Sequence, residues 1–125
     1  MRVKTDDRAL RAILEDALLA AGAALRSLLV VEDASGFDMH TLAKRTVSNA
    51  FVEVVSRYKL QVAWNGDERF SRREMEKRIR RCVGATKDEE DGTYIPYFEE
   101  TYFRGLFRGT TCEIPEERLA AEMMR

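Results

Sequence analysis

Residues 94–108, YIPYFEETYFRGLFR, decide whether this chain is purely helical. Six of its eleven aromatics, Tyr94, Tyr97, Phe98, Tyr102, Phe103 and Phe107, fall within fourteen positions there. Pro96 suits the first turn of a helix, where its missing N–H costs nothing, and Gly109 suits the C-terminal cap. The spacing predicts a helix over 94–108. The competing reading is a hairpin, because aromatic and threonine residues favour strands, with 110–114 as the returning strand.

Outward from that stretch the chain reads as helix. Pro115, followed by Glu116 and Glu117, opens a last helix, with acidic residues at the positive end of its dipole. On the N-terminal side, 84–93 reads as a loop carrying the acidic run Asp88-Glu89-Glu90-Asp91. Before it, Ser71-Arg72-Arg73-Glu74 has capping-box spacing, with Phe70 and Met75 placed as a hydrophobic staple. This predicts a helix over 72–83 that stops at Gly84. Trp64-Asn65-Gly66-Asp67 reads as a turn. Asp38 is placed to cap a helix over 39–60, whose apolar arc includes Val47, Phe51, Val54 and Val55. At the start, Leu10, Ile13, Leu14, Ala17, Leu18, Ala21, Leu25 and Leu28 keep a 3.6-residue period and predict a helix over 6–31, ended by the turn residues 33–36. The expectation is an all-α fold, a four- or five-helix bundle with a long N-terminal helical hairpin, spanning 1–125 as a single helical domain. A small β element after residue 93 is the alternative.

Composition narrows the class. The chain has 125 residues, 45% of them hydrophobic and 34% charged. By mass it can bury about two-thirds of its extended surface, enough for a core without staples. Twenty-one basic and 22 acidic residues give a formal net charge of −1, which excludes a basic field over the whole molecule. Arginine outnumbers lysine 16 to 5; a GC-rich genome is the plain reading of that ratio, and a preference for planar bidentate donors at charged contacts the sharper one. Cys82 and Cys112 form no CxxC and read as reduced, buried thiols of a cytoplasmic protein. The longest apolar run, 17–25, is too short to span a membrane.

Enzymatic chemistry finds little footing. No phosphate-binding glycine loop, HExxH or GxSxG occurs, and one histidine with two distant cysteines does not make a zinc site. Adjacent carboxylates such as Glu99-Glu100 point about 100° apart on a helix. The expectation is therefore no enzyme, no cofactor and no metal. An enzyme or small-ligand reading would have to draw on Glu99, His40 and the arginines.

Two segments carry the binding expectation. On the third helix Arg73, Lys77, Arg80 and Arg81 gather opposite Met75, Ile79 and Cys82, with Arg69 and Arg72 at the entrance. Such a cationic face suits carboxylates or phosphates; the plainer reading is a solvated helix face partly neutralised by Glu74 and Glu76. In the aromatic–arginine segment 94–109, Phe103, Arg104, Phe107 and Arg108 have the composition of an interface hot spot; the simpler reading is that the aromatics cap a helical core while Arg104 and Arg108 point outward. The function expected is a non-enzymatic binding or regulatory protein acting on a macromolecular partner. That partner is a protein with an acidic surface or, less favoured, nucleic acid, with no membrane. One alternative is a self-assembling structural subunit. A second apolar stripe on the first helix, Ala12, Leu19, Ala23 and Val30, predicts a homo-oligomer. Another is a small phage-type inhibitor of a host machine, a reading no residue carries. Ser71→Ala should cost about 1 kcal/mol, read as a lower urea midpoint, because a helix-start N–H loses its acceptor.

Overall fold

The computed structural model describes residues 1–28, 38–62 and 72–124. The turns read at 33–36 and 64–67, and the cap and staple at Phe70 and Ser71, lie outside them. Among the described residues there are five helices: α1 (Asp7–Leu28), α2 (Met39–Arg57), α3 (Arg72–Cys82), α4 (Glu100–Leu106) and α5 (Glu116–Met123). They are joined by five short strands: β1 (Arg2–Lys4), β2 (Gln61–Val62), β3 (Val83–Lys87), β4 (Tyr94–Phe98) and β5 (Thr110–Glu113). The all-α expectation is overturned: the fold is helix-dominated but mixed α and β.

The long helices form where their periodicity places them. The Asp6 carboxylate accepts the Arg8 and Ala9 amides at 3.1 and 3.0 Å and caps α1. Asp38 accepts the His40 amide at 3.1 Å and the Thr41 hydroxyl at 2.7 Å and caps α2, as its position predicts. These bonds, the Thr41 hydroxyl first, hold the Asp38 carboxyl below its ordinary pKa. The two helices pack through small residues; Ala17, Ala21 and Ala43 are fully buried, and a methyl lets backbones approach closely.

The segment 94–98 is a strand, and the reason is its partner. It pairs antiparallel with 83–87, read from sequence as helix end and loop, in the register Val83↔Phe98, Ala85↔Pro96 and Lys87↔Tyr94. The Glu99 amide donates to the Cys82 carbonyl at 2.7 Å and the Asp88 amide to the Thr93 carbonyl at 2.7 Å. Hydrogen-bonded pairs alternate along an antiparallel ladder, so Pro96 falls at a non-bonded pair where its missing N–H is not needed. The acidic run forms the tip: Asp91 accepts the Thr93 amide and hydroxyl, and Gly92 takes φ 74°. The helix read over 94–108 shrinks to α4, and Gly109, at φ 73°, ends the turn that follows it.

A second sheet, order β1-β5-β2, is antiparallel throughout. Val3 opposes the fully buried Cys112, and Gln61 opposes Thr111. This sheet ties residues near both ends of the chain to the segment leaving α2. At the centre of the core the Phe103 ring lies 5.8 Å from Phe51, 6.0 Å from Phe98 and 4.9 Å from Phe107. Phe103→Ala should cost about 3–5 kcal/mol in urea unfolding; a cost below 1 kcal/mol would show that the aromatic cluster does not hold α4.

Candidate functional site

The cationic face forms on α3. This helix holds six cations and two glutamates, and its buried residues are Met75, Ile79 and Cys82. Both glutamates are engaged along the helix: Glu76 with Arg72 at 3.5 Å and Glu74 with Arg78 at 3.2 Å. Arg73, Lys77 and Arg81 are exposed and have no ion-pair partner among the described residues. Arg80 donates to the Asn49 side-chain carbonyl of α2 at 2.9 Å, which orients the guanidinium without neutralising it. Arg73 and Arg81 stand about 12 Å apart along the axis. Arg80 and Arg81 also occupy the last turn, where cations favour the negative end of the helix dipole.

Two residues sequence reading missed belong to this description. Lys44 of α2 lays its stem against Gly84, at the α3–β3 junction, where an added Cβ would lie 3.5 Å from it. Lys44 is exposed, so it adds a cation of α2 beside the C-terminal end of α3. Only the tertiary packing of α2 on β3 reveals this, since 40 residues separate Lys44 from Gly84. Arg78, unassigned from sequence, is half-buried against Glu74 and sits apart from the exposed row. Arg69 lies outside the described residues.

The aromatic–arginine segment does not form a binding surface. Phe103 and Phe107 are 1% and 2% exposed, so their assignment to partner contact is corrected: they are core. Arg104 is exposed but engaged in surface ion pairs, with Asp7 at 3.2 Å and Glu100 at 3.1 Å. Arg108 remains exposed. The exposed aromatics of this segment are instead Tyr97 on β4 and Tyr102 on α4. The α1 stripe is likewise broken. Ala12 is fully buried, Val30 lies outside the described residues, and only Leu19, 71% exposed, and Ala23 face outward.

A charged cluster absent from the sequence reading joins α5 to α1 and α2. Arg118 meets Glu15 at 2.8 Å, Asp16 at 3.5 Å and Glu122 at 3.5 Å. The Tyr58 hydroxyl donates to Asp16. Burial, and then this bond, raise the Tyr58 phenol well above its ordinary pKa. Glu122 has a fully buried side chain and is the one buried residue of α5. The cluster holds a helix in place; its carboxylates are tied to arginines.

Other candidates for chemistry are dispersed. His40 is exposed, its ring 6.0 Å from Tyr94. Glu99 is exposed at the α4 N-cap and makes no side-chain cap bond. Cys82 and Cys112 are free and buried. Burial pushes the Cys82 thiol up to about 11 and raises Cys112 as well. Among the described residues no cluster of His, Cys, Asp or Glu could hold a metal, and no helix is long and apolar enough to cross a membrane. No family model, curated protein or solved structure matches this chain.

Two outcomes are expected. Arg118→Met should cost about 2–3 kcal/mol, because Glu122 stays buried while losing a charge partner, and adding Glu122→Leu should recover part of that loss in the same urea assay. Folded protein holds its thiol protons to higher pH than the unfolded chain, so unfolding releases protons above the ordinary thiol pKa of 9.0. Stability should therefore be insensitive to the thiols below pH 9 and fall between about 9 and 11, an effect Cys82→Ala should diminish.

Proposed function

We propose that this chain is a non-enzymatic binding protein that engages an acidic surface of a partner protein through the cationic face of α3, with Lys44 of α2 beside its C-terminal end. The observation that carries the reading is the row Arg73, Lys77 and Arg81. It is exposed and, among the described residues, without carboxylate partners, while the two glutamates of the same helix are turned to Arg72 and Arg78. Arg80 adds a guanidinium already oriented by Asn49, so less side-chain entropy is lost when it meets a carboxylate. Nucleic acid is the less favoured partner. The net charge is −1, and the acidic tip at Asp88–Asp91 would repel an extended phosphate backbone that ran past it. The free thiols favour a reducing compartment, the cytoplasm.

Self-assembly is a second reading, supported by Leu19 alone, and an isolated exposed leucine is ordinary on a protein surface. Light scattering above the 14.4 kDa monomer mass, reduced by Leu19→Glu, would favour it.

The test is Arg73→Glu with Arg80→Glu. The double variant should keep its helical circular dichroism and a cooperative melt, because these side chains point away from Met75 and Ile79 and the one bond lost among the described residues, Arg80 to Asn49, is exposed. It should lose the partner captured by the native protein from nuclease-treated host extract. Capture by the native protein should also weaken steeply as salt rises past physiological strength, where the screening length is about 8 Å. Undiminished capture by the folded double variant would reject the face. A labelled oligonucleotide retarded in a gel at micromolar protein would move the reading to nucleic acid.

A further inference from the structure

Between α1 and the corner of β4 and α4 lies a cavity of about 580 Å³, which shares no residue with the cationic face. Small-molecule sites occupy roughly 300–1,000 Å³. Leu10, Leu14 and Leu18 follow one another at four-residue spacing along its α1 wall, with Phe98 and Phe103 completing an apolar floor. Leu14, Leu18 and Phe98 are only half-buried, so part of that floor is bare. The leucines span about 12 Å along the helix axis, the length of an extended chain of roughly ten carbons.

The rim charges differ in how firmly they are matched. Asp7 and Glu100 both meet Arg104, at 3.2 and 3.1 Å, and Glu15 meets Arg118 at 2.8 Å. Arg11 is the exception. Its one ion contact among the described residues is Glu122 at 3.9 Å, the outer limit of an ion pair, and its side chain is 50% exposed. Glu122 also has Arg118 closer, at 3.5 Å. The wall thus presents carboxylates already engaged by arginines and one guanidinium able to take a stronger acceptor.

We propose that this cavity binds a free aliphatic monocarboxylate of about ten carbons, with its chain along Leu10, Leu14 and Leu18 and its carboxylate on Arg11. An extended peptide suits the site less well. Pro96 removes the central outward donor of β4, and strand addition needs that donor.

Titration calorimetry of the full chain with decanoate tests the assignment. Decanoate should bind saturably with one site per chain. Octanoate should bind about tenfold more weakly, because each methylene contributes about three- to fourfold. Decanol, without the charge, should also bind at least about tenfold more weakly. Arg11→Gln should lose the same factor, whereas Arg11→Lys should keep most of the affinity. Leu14→Trp, which fills the floor, should abolish binding with circular dichroism unchanged. The cationic-face variant carrying Arg73→Glu and Arg80→Glu should bind decanoate normally, which separates this site from the one proposed above. The proposal is overturned by any of four results: absence of saturable binding below the concentration at which decanoate aggregates, equal affinity for decanol, full affinity in Arg11→Gln, or binding that survives Leu14→Trp. Loss of binding in the cationic-face variant would likewise overturn it, by placing the acid on α3.

Discussion

Phe103 packs edge-on against Phe51 of α2 and Phe98 of β4 and lies tilted over Phe107, almost without exposure. Seven residues are too few for α4 to stand as a helix in water. Its first turns are set by this side chain. With Phe103 inward, the next residue, Arg104, points to the start of α1 and meets Asp7. The same placement holds Phe98 against α1, seats the β3–β4 hairpin and leaves the apolar floor beside Leu14 and Leu18. The hairpin in turn brings Gly84 under Lys44, which sets a cation of α2 beside the C-terminal end of α3.

At α5, charge does what apolar burial does in the rest of the fold. The last helix, α5, buries Glu122 and only half-buries Leu119, so hydrophobic area alone holds it weakly. Arg118 supplies the attachment through Glu15, Asp16 and Glu122, and the hydrogen bond to Glu15 holds its charge firmly. Such contacts are directional, so they set the register of α5 on α1 more sharply than an apolar stripe would. The arginine preference of the chain is partly absorbed here and at Arg104. What remains outward on α3 is a smaller set of cations than composition suggests, on a more sharply bounded surface.

The parts of the fold that were legible are those whose cause is local. The period of Leu10 to Leu28 and the cap at Asp38 lie within a few residues of what they determine, and α1 and α2 follow them. The exposed row Arg73, Lys77 and Arg81 was legible for the same reason, since helical spacing alone places it opposite Met75 and Ile79. The aromatic segment misled because its composition suits a helix, a strand and an interface equally. Phe103 and Phe107 resemble surface hot spots until the ring of Phe51, fifty-two residues before Phe103, is packed on them.

By itself the sequence determined three amphipathic helices, the Asp38 cap of the second, a cationic face on the third, and the absence of the common catalytic and metal motifs. Tertiary structure decided the rest. Strands of two to five residues are too short to show a period, and 83–87 is a strand because 94–98 lies beside it. A two-residue strand at Gln61 and a three-residue strand at Arg2 exist only because β5 offers both of its edges. The same holds for the Arg118 cluster, whose members lie up to 107 positions apart in sequence. Side-chain period is a property of a single segment; pairing and charge matching belong to two segments at once, and chain packing alone brings those together.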